Sequence, residues 1–206
     1  MKRALPYAGI AAVAMFALAL VVFGQFLQGY SQVFHPVAVL GAQGVPRALA
    51  FNVVAFVVPG LLAGVVAMDL RQRLPRDAGW PLRVGTQLAF LSALGFIALG
   101  LLPLDPMDLH NHASSLHATA WLLWWVAFVP GAFLIAAGLR GKSAWRRLAR
   151  ASVAAALLVL ATALFAVELM PAGLAQRLGY AAWLGWLCVA AWRSRLCRGG
   201  GRVLRG

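Results

Sequence analysis

Six long apolar runs constrain the fold of this chain more than any other feature. Most are long enough to cross the ~30 Å hydrocarbon core of a bilayer as a helix, which takes about 20 residues. They lie near residues 5–27, 48–68, 84–103, 117–138, 151–170 and 178–192. Of the 206 residues 63% are hydrophobic and only 11% are charged, a balance that soluble domains do not have. The sequence therefore predicts an all-α, polytopic membrane protein, a bundle of six transmembrane helices.

The positive charges predict how this bundle is oriented. If the N-terminus lies in the cytoplasm, all but two of the 18 lysines and arginines fall on the cytoplasmic side, and only Arg47 and Arg177 lie outside. Such a bias follows the positive-inside rule. It predicts a multi-pass membrane protein with both termini cytoplasmic and outer loops near residues 28–47, 104–116 and 171–177.

The net charge of +13 has the same origin. Because the cations flank the apolar runs, they point to anionic lipid headgroups on the cytoplasmic side of the bilayer as partners, and not to nucleic acid. No loop is long enough to fold separately, so residues 1–192 are predicted to form one six-helix domain. The basic, glycine-rich residues 193–206 are predicted to be a disordered cytoplasmic tail.

The first outer loop and the small residues in the spans predict how the helices pack. The loop mixes Gly and Pro with apolar Val37, Val39 and Leu40, which is typical of a segment that lies on the mouth of a bundle or dips into it. Small residues and prolines inside spans usually mark close helix contacts. They occur here as Pro59-Gly60, Gly64, Gly95, Gly100 and Pro130-Gly131, and the neighbouring tryptophans Trp121, Trp124 and Trp125 are interpreted as packing residues too.

The candidate functional residues all lie on the predicted outer side. Asp105 and Pro106 end the third span, Ser114 or Ser115 can cap the next helix, and His117 then falls about one turn inside it. Glu168 is placed in the fifth span, three residues before Pro171. Ionisable groups inside a span are costly and normally face a cavity. Asp105, His117 and Glu168 are therefore expected to converge on one outward-facing polar cavity, with Asn52 or His35 as substrate-binding residues.

Several interpretations of this set stay open. His110, His117 and Glu168 have the ligand types that a divalent metal such as zinc prefers, although their spacing matches no metal motif. A haem would need a second histidine facing His117. Alternatively, His110, His112 and Asp108 are solvated loop residues, and the three buried candidates only join helices by hydrogen bonds.

Two classes of function follow from these alternatives. One is a metal-assisted, membrane-embedded hydrolase or transferase acting on lipid or lipid-linked substrates, in which Asp105, His117 and Glu168 are catalytic and Asp105 is the general base. The other is a non-enzymatic small-solute transporter or lipid-binding accessory protein. The sequence does not distinguish an enzyme from a binding protein.

Several short motifs resemble a known family. They are residues 40–48 leading to Phe51-Asn52, the run 100–106, the Leu116-His117 pair and residues 145–152. Together they resemble the bacterial and archaeal membrane-protein family catalogued as domain of unknown function 998, from about Tyr30 to the last span. The resemblance implies a polytopic helical protein of a prokaryotic plasma membrane, and it matches Asn52, Asp105, Pro106 and His117 to recurring polar positions. Val39 stands where members often have a Glu, so no role of that Glu can be transferred.

Overall fold

The computed structural model describes residues 7–73 and 78–199 and contains six long helices. The helices are α1 (Ala8–Phe26), α2 (Ala48–Arg73), α3 (Trp80–Leu101), α4 (His112–Gly138), α5 (Arg146–Leu164) and α6 (Ala172–Gly199). Short helical turns cover Val37–Gly41, Ser143–Trp145 and Ala166–Leu169. No strand occurs within the described ranges, so the predicted all-α class is confirmed there.

Five of the six helices, α1 to α5, are long and apolar enough to cross a membrane, with mean hydropathies of 1.6 to 2.3. The prediction of several helices long and apolar enough to span a membrane is therefore confirmed, while the six-span count and the placement of the termini stay predictions. Helix α6 continues to Gly199, into the segment predicted as a tail. The tail residues 200–206 and the cations Lys2, Arg3 and Arg76 lie outside the described residues.

The six helices form a closed ring. Each helix packs against its neighbours in the sequence, and α6 closes the ring by packing against α1 as well as α5. Successive helices run in opposite directions, so their connections alternate between two ends of the bundle. We call the end with residues 27–47, 102–111 and 165–171 the loop end, and the end with residues 78–79 and 139–145 the arginine end.

Aromatic side chains from five helices fill the centre of the ring. Phe96 of α3 stacks on Trp183 of α6 with ring centroids 4.4 Å apart, and Trp124 of α4 lies 4.8 Å from Tyr180 of α6. Phe16 of α1 and Phe56 of α2 complete the cluster. Edge-to-face and offset contacts between rings stabilise the bundle beyond the effect of burying the rings. Helix α6 is therefore the central packing element of the bundle.

Glycines allow α3 to approach its neighbours closely, as predicted. A Cβ on Gly85 would come within 2.8 Å of the Gly131 carbonyl oxygen, and one on Gly95 within 2.7 Å of the Trp124 nitrogen. A Cβ on Gly100 would meet the Asn52 carbonyl oxygen at 2.8 Å. Close backbone contact through small residues is a usual way for membrane helices to associate.

Helix α2 contains one turn of wider π-helix, Val53–Val57, just before Pro59. Proline has no N–H to bond the carbonyl four residues earlier, and its ring crowds that carbonyl. The wider turn accommodates this break without ending the helix. Asn52 lies directly before it and is buried, at the loop end of the bundle.

Candidate functional site

The loop end is closed by a segment of the first loop that folds back into the bundle. We call residues 30–43 the plug. Its central turn, Val37–Gly41, is buried, with Val37 fully inaccessible and Leu40 2% exposed. Of the two predicted arrangements, lying on the bundle mouth or dipping into it, the structure shows the second. Apolar burial drives the plug inward, and its backbone polar groups then need partners.

Arg177 of α6 bonds to both backbone and side-chain groups of the plug. Its guanidinium donates hydrogen bonds to Gln32 Oε1 at 2.7 Å, to the His35 carbonyl oxygen at 3.0 Å and to the Tyr30 hydroxyl at 2.5 Å. It also donates to the Gly173 carbonyl oxygen of its own helix at 2.7 Å. The planar fork of arginine can serve several acceptors at once. Arg177 therefore latches the plug to the start of α6.

Tyr30 extends this latch. Its hydroxyl donates to the Pro36 carbonyl oxygen at 3.3 Å while it accepts from Arg177. Partial burial raises the pKa of the Tyr30 hydroxyl above its ordinary value, and the nearby Arg177 charge opposes that rise. The phenol therefore keeps the proton that it donates to Pro36 at neutral pH.

Three further contacts fix the plug to the bundle. Gln176 Oε1 accepts from the Val37 backbone nitrogen at 2.6 Å, and Asn52 Nδ2 donates to the Gly41 carbonyl oxygen at 2.8 Å. The Gln43 nitrogen donates to the Leu104 carbonyl oxygen at 2.8 Å. The plug is thus held by α2, α6 and the α3–α4 connection.

The predicted substrate-binding residues both have structural contacts in this arrangement. Asn52 is 4% exposed and holds Gly41. His35 is exposed, and its Nδ1 accepts from the Ser31 backbone nitrogen at 2.9 Å while its ring stacks on Tyr30. Their predicted role in binding a substrate stays a prediction.

Asp105 organises the connection between α3 and α4. One carboxylate oxygen accepts from the Met107 nitrogen at 2.9 Å, and the other accepts from Asn111 Nδ2 at 2.6 Å. Asn111 in turn caps α4 by accepting from the Ser114 nitrogen at 2.9 Å. The cap is therefore Asn111, whereas Ser114 or Ser115 was predicted. Asn and Ser cap about equally well, and the bond to Asp105 favours Asn111.

His117 is buried one turn further along α4, with 9% of its surface exposed. Its Nδ1 lies 2.8 Å from the Leu102 carbonyl oxygen at the end of α3. Because a carbonyl oxygen only accepts, Nδ1 carries the proton in this contact. His117 thus ties the start of α4 to the end of α3. His110 and His112 are exposed.

Glu168 lies apart from these residues. Helix α5 ends at Leu164, so Glu168 is not inside a span as predicted but in the separate turn Ala166–Leu169, where it is exposed. Ending the span early keeps a carboxylate out of the apolar region, where it would be costly. No hydrogen bond joins Asp105, His117 and Glu168 to one another, and each has its own local surroundings.

Within residues 7–73 and 78–199, no group of three or more His, Cys, Asp or Glu side chains is close enough to hold a metal ion. The predicted zinc ligands His110, His117 and Glu168 are therefore not assembled into one site. The predicted catalytic roles of Asp105, His117 and Glu168 stay predictions.

A cavity of about 140 Å³ lies beneath the plug, and the sequence did not predict it. The plug contributes Pro36 to its wall. Helices α4, α5 and α6 contribute Trp121, Trp124, Thr162, Ala163, Ala172, Ala175, Gln176 and Gly179. The lining is mainly apolar and includes no charged residue. Ala172 is exposed, so the cavity reaches the surface of the bundle.

Gln176 and Thr162 are the neutral polar residues, apart from the tryptophans, in the wall of this cavity. Gln176 uses Oε1 for the plug, and none of the described groups accepts from its amide nitrogen. The Thr162 hydroxyl donates to the Leu158 carbonyl oxygen of its own helix and can still accept. An occupant with a carbonyl or hydroxyl oxygen would complement this wall.

Comparison with known proteins identifies the family of this chain. The family model described as "Protein of unknown function (DUF998)" matches residues 10–193, nearly the whole chain. No curated protein and no solved structure matches the chain. The match includes the plug, Arg177 and every helix of the ring. The chain therefore belongs to the DUF998 family of proteins of unknown function.

Proposed function

We propose that this protein is a lipid-binding accessory protein that holds an uncharged amphiphile in the cavity beneath the plug. The observation that carries the proposal is the cavity wall itself, in which tryptophan rings and alanines surround the neutral polar groups of Gln176 and Thr162. Cavities lined by apolar and aromatic side chains with a few polar groups are the usual sites for small ligands.

The size of the cavity narrows the class of occupant. A space of about 140 Å³ is close to that of an apolar cavity that accepts benzene, so it holds a ring or a chain segment and not a whole lipid. The rest of the molecule would extend past exposed Ala172 into the bilayer. An ester or hydroxyl oxygen of a neutral lipid matches the amide nitrogen of Gln176. A charged headgroup does not, because no counter-charge lines the cavity.

The orientation in the membrane belongs to this proposal. Six spans in a prokaryotic plasma membrane, with both termini cytoplasmic, would place the plug and the cavity on the outer side. The positive-inside bias supports this arrangement, since Arg140, Arg146, Arg147 and Arg150 lie at the end opposite the plug. The cavity would then take its occupant from the outer leaflet.

The test uses a short-chain diacylglycerol as the probe and native mass spectrometry of the detergent-purified protein. Wild type should retain one diacylglycerol. The Ala163→Trp variant should retain none, because the new side chain fills the cavity from α5. The matched control Ala14→Trp changes an exposed position of α1 that does not line the cavity, and it should behave as wild type. Equal retention in the two variants, or none in wild type, would overturn the proposal.

A further inference from the structure

A second groove lies at the arginine end, between α4 and α5. Its volume is about 670 Å³, within the range of lipid-sized and drug-sized ligand sites. The apolar part of its wall is formed by Phe133 and Ala137 of α4 and by Val153, Ala154 and Leu157 of α5. Most of these side chains are exposed, so the groove faces the surroundings of the bundle.

Two arginines close the groove at the end of the bundle. Arg140, just after α4, and Arg150, in the second turn of α5, line both this groove and an adjoining hollow of about 190 Å³. Arg146 and Lys142 border the same hollow. Within the described ranges, the guanidinium groups of Arg140, Arg146 and Arg150 form no hydrogen bond or ion pair with the protein. The charges of Arg140, Arg146 and Arg150 at the mouth of the groove are therefore not neutralised by any of the described residues.

We infer that this groove binds an anionic glycerophospholipid. Its phosphate lies between Arg140 and Arg150, and one acyl chain runs along the apolar wall toward Leu157. Guanidinium groups match phosphate oxygens in geometry as well as charge. Basic pockets at the ends of membrane helices are the usual sites for such headgroups. A soluble anion would use the arginines but would leave the apolar wall uncovered.

This site is separate from the proposed cavity beneath the plug. The two share no lining residue and lie at opposite ends of the bundle. They also differ in charge, because the cavity wall is neutral and the groove ends in arginines. Filling one should leave the other unchanged, so the two proposals can fail independently.

The experiment measures binding of phosphatidylglycerol and phosphatidylcholine to the detergent-purified full chain by native mass spectrometry. Wild type should bind phosphatidylglycerol in preference to phosphatidylcholine. The double variant Arg140→Gln/Arg150→Gln should bind phosphatidylglycerol about thirtyfold more weakly, as expected for the loss of two interfacial cations. The matched control Arg83→Gln/Arg147→Gln removes the same charge from exposed positions that do not line the groove. Its binding of phosphatidylglycerol should stay within about threefold of wild type, a smaller change than the loss of one interfacial cation would cause.

A second variant tests the acyl chain separately from the charge. Ala154→Trp fills the groove without altering the arginines, and it should also weaken phosphatidylglycerol binding. Ala163→Trp, which fills the cavity beneath the plug, should not. An equal loss of phosphatidylglycerol binding in the two double arginine variants would show nonspecific attraction to the protein surface and overturn the inference. So would normal binding by Ala154→Trp, or equal binding of the two lipids by wild type. Unchanged helical circular dichroism confirms that each variant is folded.

Discussion

The Arg177 latch makes the most direct structural prediction. In the Arg177→Met variant the side chain keeps much of its length but loses every donor and the charge. The plug then loses its bonds through Gln32, His35 and Tyr30. Its apolar turn stays buried, so we expect the plug to open more often while the rest of the bundle stays folded.

The magnitude follows from the burial of each bond. The contacts of Arg177 with Tyr30 and Gly173 are partly buried, and those with Gln32 and His35 are exposed. Hydrogen bonds to a charged group contribute ~1.5–3 kcal/mol each, and exposed ones contribute little. The bond to Gly173 stays within α6 when the plug opens, so only the partly buried bond to Tyr30 counts, at about 2 kcal/mol. The opening equilibrium of the plug should rise by roughly thirtyfold.

Hydrogen–deuterium exchange of the detergent-purified protein measures this equilibrium. The Val37 amide is the best reporter because it bonds to Gln176 only while the plug is closed. Its exchange should accelerate about thirtyfold in Arg177→Met. The control is Arg47→Met, which removes the other cation of the loop end, whose guanidinium lies 4.0 Å over the Phe26 ring. Unchanged exchange at Val37 in Arg177→Met, or equal acceleration in both variants, would refute the latch.

Three further predictions follow from other contacts at the loop end. Gly173→Ala should destabilise the protein by ~1–3 kcal/mol, because the new Cβ would lie 2.6 Å from the Val33 carbonyl oxygen. Gly185→Ala, with nothing within 4 Å of the new Cβ, should be neutral or slightly stabilising, so equal melting temperatures of the two variants would contradict this prediction. His117→Ala should cost ~1–3 kcal/mol in thermal unfolding, because it leaves the Leu102 carbonyl unpaired. His117→Asn, whose amide nitrogen replaces Nδ1, should restore most of this stability, and no recovery would show that His117 acts in another way. A cysteine at position 110, in a cysteine-free background, should react with an impermeant maleimide from outside intact cells, and reaction only after permeabilisation would reverse the proposed topology.

The sequence predicted the bundle because its strongest signals are local. Apolar runs of about 20 residues specify helices long enough for a membrane. Glycines such as Gly95 and Gly100 indicate close contacts, since a side chain there would collide with the neighbouring backbone. The burial of Val37 and Leu40 was likewise indicated by apolar residues in an otherwise polar loop. Each of these inferences needs only neighbouring residues.

The candidate site was predicted less well because it depends on how helices are rotated. The spans are apolar on all sides, so no polar stripe shows which way Glu168 or His117 faces. Sequence reasoning grouped them because both are ionisable and both lie near an outer boundary. In the structure His117 bonds to the end of α3, and Glu168 is exposed on a separate turn.

Arg177 was missed for a related reason. It was counted only as one of two cations on the outer side, since its partners Tyr30 and Gln32 are 147 and 145 positions away. One signal was nevertheless present in the sequence. A cation that breaks a strong positive-inside bias needs a structural or functional reason to be kept.

Photo-crosslinking tests the central proposal, an amphiphile bound beneath the plug, most directly. The probe is a diacylglycerol with a diazirine on one acyl chain close to its ester, reconstituted with the protein in phosphatidylcholine vesicles and activated by light. We predict that adducts concentrate on peptides containing Trp121, Thr162 and Gln176, and that Ala163→Trp abolishes them while Ala14→Trp does not. Adducts spread evenly over the exposed faces of all helices, and unchanged by Ala163→Trp, would contradict a lipid-binding role for this cavity.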